Sequence, residues 1–143
     1  MRSKLIAEAG EKTYALIFDT GDEAASGLLD FAKEHGLAGS HFTAIGGFSR
    51  AILGYFDPNI KDYKKVPIDE QVEVLSLIGD VAVKDGEPIV HAHVVVGKSD
   101  GTAWGGHLIE GHVRPTLEVM LVETSAQLQR EDDRETGLTM IRV

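Results

Sequence analysis

The spacing of apolar positions divides the chain into strands and one helix. Residues 13–19, Thr-Tyr-Ala-Leu-Ile-Phe-Asp, are rich in β-branched and aromatic side chains and predict a first strand. A helix over about residues 22–35 follows. Ala24, Leu28, Phe31 and Ala32 recur at helical steps, Thr20 and Glu23 stand at capping-box spacing, and Gly36 supplies a stop after His35. Residues 41–56 alternate in two parts, on either side of Gly46 and Gly47, where a bend, a bulge or a close backbone approach is expected. Residues 57–67, with Pro58, Asn59 and three lysines, read as a loop carrying at most a short strand.

Beyond this loop the pattern is continuously β. Strands are expected at 72–83, 89–96, 103–110 and 116–124, with a turn at Asp85-Gly86 and a closing strand at about 138–143. Short turns between successive strands imply mostly antiparallel pairing, and one helix can cover only one face of the sheet. The expected fold class is therefore α/β of the α+β kind: a single domain over 1–143, with its core at about 13–124. Strand 116–124 carries Leu117, Val119 and Leu121 on one side and Met120 and Val122 on the other, so neither side reads as solvent-facing. The uncovered face calls for oligomerisation.

Length and composition narrow the class. A chain of 143 residues can bury about two thirds of its unfolded surface without staples. With no cysteine there is no disulfide framework, and neither a signal-peptide core nor a membrane-length apolar run is apparent. The expected setting is the cytoplasm. The formal charge of −9 works against nucleic-acid binding, whose non-specific affinity comes from phosphate contacts. Lys61, Lys64 and Lys65 around Tyr63 form the local basic cluster and read as a solvated loop, and Glu131-Asp132-Asp133 reads as a solvated turn before the last strand.

The candidate chemistry lies in the histidines. His91 and His93 are two apart on a strand, so both project from one face, with Val90, Ala92 and Val94 on the other. If the turn at 98–102 sets a register in which paired numbers sum to 200, His93 lies opposite His107 and the three rings share a face. That arrangement suits a divalent metal with open coordination positions, zinc being the first choice for imidazoles in a chain without cysteine. A slip of one residue would dissolve the cluster and leave hydrogen-bonded structural histidines. Glu118, on the Met120 side, is a candidate to accept a hydrogen bond from the histidines and orient them or to pair with Arg50, or else an exposed strand-end carboxylate. Gly46 and Gly47 could offer backbone N–H groups to an anion, with Arg50 adding charge, although a tight bend explains them equally.

No phosphate-cradling loop, serine elbow or nucleophilic cysteine is present. Five blocks resemble the plant and prokaryote conserved (PPC) domain in its stand-alone prokaryotic form: residues 44–57, 72–79, 85–93, 105–111 and 115–119, including Asp85-Gly-Glu-Pro-Ile-Val-His-Ala-His93 and Gly105-Gly-His-Leu108. The resemblance spans about residues 13–123. It implies a curved, mainly antiparallel sheet, a homotrimer, and a histidine cluster at His91, His93 and His107 able to hold a metal. It also carries a family association with DNA, although this chain has no Arg-Gly-Arg-Pro hook. The expected role is a metal-binding homotrimeric module for a small-molecule ligand or protein partner. One alternative is a metal-dependent enzyme for a small anionic substrate, with Glu118 or Glu110 as acid/base and Arg50 as anion anchor. The other is direct DNA binding by the trimer, which the charge disfavours.

Overall fold

The long alternating stretches of the sequence become long bent strands. The computed structural model describes residues 1–8 and 10–142, with backbone alone at residues 3 and 5–8. In chain order the elements are β1 (Arg2–Glu8), β2 (Lys12–Asp19), α1 (Ala24–His35), β3 (Gly39–Asp57), β4 (Asp62–Ile68), β5 (Val72–Lys84), β6 (Glu87–Gly97), β7 (Ala103–Glu123), β8 (Gln129–Asp132) and β9 (Thr139–Arg142). They form one sheet in the order β1-β2-β7-β3-β5-β8-β9, with β4 on β3 and β6 bridging β5 and β7. All ladders are antiparallel except the single parallel pair Val83–Gln129 between β5 and β8. The expected α+β class, a mostly antiparallel sheet with one helix, is what the described residues form.

Because β3 pairs with β5, β5 with β6, β6 with β7 and β7 again with β3, these four strands close a cycle of ladders. Register shifts make the closure possible. On β3 they fall at Gly46, between Phe48 and Arg50, and at Ile52, and across the one between Phe48 and Arg50 the buried side passes from Phe42, Ala44 and Phe48 to Ala51 and Leu53. The pair Gly46-Gly47 reflects a close approach of chains. A Cβ on Gly46 would lie 2.3 Å from the Thr116 carbonyl oxygen, and one on Gly47 2.5 Å from that of Arg114.

Leu16, Phe18, Leu117, Val119 and Leu121 are almost wholly buried on the face that α1 covers with Ala24, Leu28, Phe31 and Ala32. Each such side chain contributes about 1.5–3 kcal/mol of transfer free energy. The other face is open: Ile45, Ile78 and Met120 are 61%, 54% and 47% exposed, and Glu118 is exposed between them. Within one chain, then, strand 116–124 has one buried and one open side, not two buried sides.

Four further expectations change. The helix is capped by Glu23 alone, whose carboxylate accepts from Ala25 N and Ser26 N, while the Thr20 hydroxyl donates to the Pro115 carbonyl. Residues 62–68 form β4 and pair with β3 from Asp62 to Ile68, since an edge strand tolerates the lysines and the proline that read as a loop. The 103–110 and 116–124 strands are one continuous β7. Finally, Glu131 and Asp132 belong to β8 of a C-terminal hairpin whose β9 ends at Arg142; Val143, placed by the sequence reading in that last strand, lies outside the described residues. Among the described residues no helix is long and apolar enough to cross a membrane.

Candidate metal centre

The turn after β6 sets the site. Lys98 N donates to the Thr102 carbonyl, Gly101 takes φ 84°, and the Asp100 carboxylate accepts from the Thr102 amide and hydroxyl. This closure pairs Gly97 with Ala103 and His93 with His107, the register in which paired numbers sum to 200. Next to it, Asp80 pairs with His91, and His107 also faces Gly54 of β3. The three imidazoles therefore meet on the outer side of the sheet. One ring nitrogen from each of His91, His93 and His107 lies within 4.8 Å of the others, with ring centroids 5.1–5.6 Å apart.

The chemistry of this donor set fits a divalent ion. His107 Nδ1 is buried with no hydrogen-bond partner, an orphan that coordination or a ligand would answer. Burial first, and then the neighbouring His91 and His93, pushes the His107 pKa down to about 4, and it lies neutral at physiological pH. His91 is lowered by burial and by the Arg130 charge, against an opposing pull from Asp80. Neutral imidazoles are the form that ligates. His91 Nδ1 lies 3.4 Å from Arg130 Nη2, which can only donate, and 3.8 Å from Asp80 Oδ2, so the Arg130–Asp80 pair flanks the ring on that side.

Several groups at the site had no signal in the sequence. Arg130 of β8 is 7% exposed; its Nη2 donates to Asp80 Oδ1 at 2.6 Å and lies 3.4 Å from His91 Nδ1, its Nη1 donates to the Thr139 carbonyl, and its Nε is buried without a partner. The Tyr63 ring lies over His107 at 4.8 Å between centroids. Arg130 sits in an acidic stretch and Tyr63 among lysines, and neither position has a periodicity that points at a histidine more than thirty residues away in sequence. Together with the C-terminal hairpin, these residues wall a cavity of about 1010 Å³ in front of the histidines.

The other candidates lie elsewhere. Glu118 is exposed on β7, opposite Ile17 and Ile45, and does not line the cavity; the carboxylate beside the histidines is Asp80. Arg50 and Glu110 meet around a different histidine, with Arg50 Nη2 3.3 Å and Glu110 Oε2 3.5 Å from His112 Nε2. Gly46 and Gly47 lie on β3 beyond Phe48 from this group, where β7 crosses close by.

With the geometry in place, comparison with known proteins adds three findings. The sequence model of the Plants and Prokaryotes Conserved (PCC) domain, the PPC domain of the sequence reading, matches residues 6–125. Among solved structures, a metal-containing protein from Archaeoglobus fulgidus is 35% identical, with a TM-score of 0.85 over 100% of both chains. A second, from Ralstonia eutropha JMP134 and provisionally named as DNA-binding, is 26% identical, with a TM-score of 0.85 over 91% of this chain and 90% of that one. A curated relative, the bifunctional protein GlmU of Synechococcus sp. (strain JA-3-3Ab), is 31% identical over 92% of this chain, which spans 20% of that protein's length.

Proposed function

Since this chain belongs to the Plants and Prokaryotes Conserved domain family, we propose that it is a metal-binding module: a homotrimer that holds a divalent ion, zinc first, on His91, His93 and His107 and offers its open positions to a small-molecule ligand or protein partner. The observation that carries this reading is the meeting of three ring nitrogens within 4.8 Å, at a cavity large enough for more than water. That the Archaeoglobus relative is a metal-containing protein is in keeping with a metal here. Bound there, zinc would supply Lewis acidity and exchangeable coordination positions.

A binding role is favoured over catalysis because the acid/base candidates Glu118 and Glu110 do not line the cavity, while Asp80, which does, is held by Arg130. Direct DNA contact is disfavoured by the charge of −9, and Lys61, one of the three clustered lysines, donates to the Arg134 carbonyl. Assembly draws support from the open face: Met120 pairs with Thr43, Thr43 with Ile78 and Ile78 with His93, so the exposed apolar row runs into the histidines.

The test is elemental analysis of untagged protein. About one metal ion per chain is expected in the wild type, and a small fraction of that in His93→Ala with its thermal unfolding still cooperative. A wild type that takes up no zinc from a stoichiometric excess would overturn the reading.

A further inference from the structure

The lining of the cavity in front of the histidines has a polar and an apolar part. The imidazoles, Asp80 and Arg130 make the polar part and Phe56, Ile89, Leu138, Met140 and Ile141 the apolar one, and Arg130 joins them, since it pairs with Ile141 and donates to the Thr139 carbonyl. Three neutral imidazoles cancel none of a divalent ion's charge. Arg130 and Asp80 are ion-paired, and the charges of Lys61 and Asp62 in the same wall sum to zero, so the loaded cavity would have two positive charges without counterions. Near apolar walls that excess is poorly screened, and an entering anion relieves it.

The uncommitted donors are few. The hydroxyls of Tyr63 and of the more exposed Tyr55 make no hydrogen bond with any described residue, and Arg130 Nε is buried without a partner. This is too sparse a set for a phosphate, which needs several N–H donors at once, and too apolar a wall for a sugar. Tyr63 is held over His107 from behind: a Cβ on Gly54 would stand 2.8 Å from its ring, so the glycine is what lets the ring lie there.

We propose that this cavity takes an organic carboxylate with an apolar body, the carboxylate at the histidine end beside the Tyr63 hydroxyl and the body under the 138–141 wall of the C-terminal hairpin. The assignment rests on the metal reading and goes beyond it in naming the ligand class. Tyr63 and Met140 are then specificity-determining residues, one for the head and one for the body.

The experiment is calorimetric titration of zinc-loaded and chelator-treated protein with phenylacetate, with acetate as head alone and benzyl alcohol as body alone, zinc content being measured on each sample. Zinc-loaded protein is expected to bind phenylacetate at least about tenfold more tightly than either fragment. Met140→Asp should lose that preference while keeping its zinc and its melting transition, and Tyr63→Phe should weaken phenylacetate more than benzyl alcohol. A chain that takes up no zinc overturns the metal reading itself. A zinc-loaded chain that binds phenylacetate no better than acetate, or a Met140→Asp variant that binds it as well as wild type, overturns the carboxylate proposal alone.

Discussion

One carboxylate ties the helix to the sheet. Glu23 caps α1 through Ala25 N and Ser26 N and also accepts from Gly111 N of β7 at 2.9 Å. Burial raises its pKa, yet the hydrogen bonds from Gly111, Ser26 and Ala25 outweigh that and leave it below the usual glutamate value. A carboxyl whose folded pKa is depressed stabilises the fold fully above its unfolded pKa and loses that contribution as pH falls through the folded one. Glu23→Ala, which strands three donors, should cost about 2 kcal/mol in urea unfolding at neutral pH. The gap between wild type and Glu23→Gln should be flat above about pH 5 and shrink at lower pH; a gap that widens on acidification would contradict the capping account. Glu23 was legible in sequence as part of a helix start. Its bond to Gly111 was not, because that partner is brought in by the bend of β7.

The C-terminal hairpin is the element on which the cavity depends. One parallel pair, Val83–Gln129, joins it to β5; beyond that it is held by the Arg130–Asp80 ion pair, by Lys84 on Asp132 and by Lys61 on the Arg134 carbonyl. Arg130 carries the largest share, being buried, and Asp80 stands beside His91. Arg130→Ala should destabilise the hairpin by about 3 kcal/mol, since it leaves Asp80 without its cation. The effect should be local: amide exchange should rise across 129–142 while β3 and β7 keep their protection. Unchanged exchange there would show that packing of the hairpin, not the ion pair, holds it down. Sequence placed a last strand at about 138–143, but not its pairing with β8, because an acidic, apolar-poor segment has no alternation by which to recognise a strand.

For the whole molecule, the open face is the feature that one chain cannot explain. Exposed Ile45, Ile78 and Met120 lie on the face of the sheet that α1 leaves open, and a trimer would bury them. Sedimentation of the wild type should give about three times the 15.5 kDa chain mass. Ile78→Glu, which puts a charge in the centre of that face, should sediment as a monomer with an unchanged far-ultraviolet spectrum. A wild type that remains a monomer at micromolar concentrations would remove the trimer from the proposal.

Local chemistry determined much of this molecule without reference to the fold. The period of two in residues 89–96 put His91 and His93 on one face, and of the registers open to the turn at 98–102 the one that pairs numbers summing to 200 is formed, which brings His107 opposite His93. The helix, its Gly36 stop and the antiparallel class follow from the same short-range rules. What only the tertiary structure decided are contacts between segments distant in sequence: the closed cycle of β3, β5, β6 and β7, Tyr63 over His107, Asp80 rather than Glu118 beside His91, and Arg130 sealed under the hairpin. Periodicity tells which face a side chain takes. It does not tell what else arrives at that face, since that is set by bulges and by the packing of long bent strands, where a shift of one residue redirects every side chain beyond it.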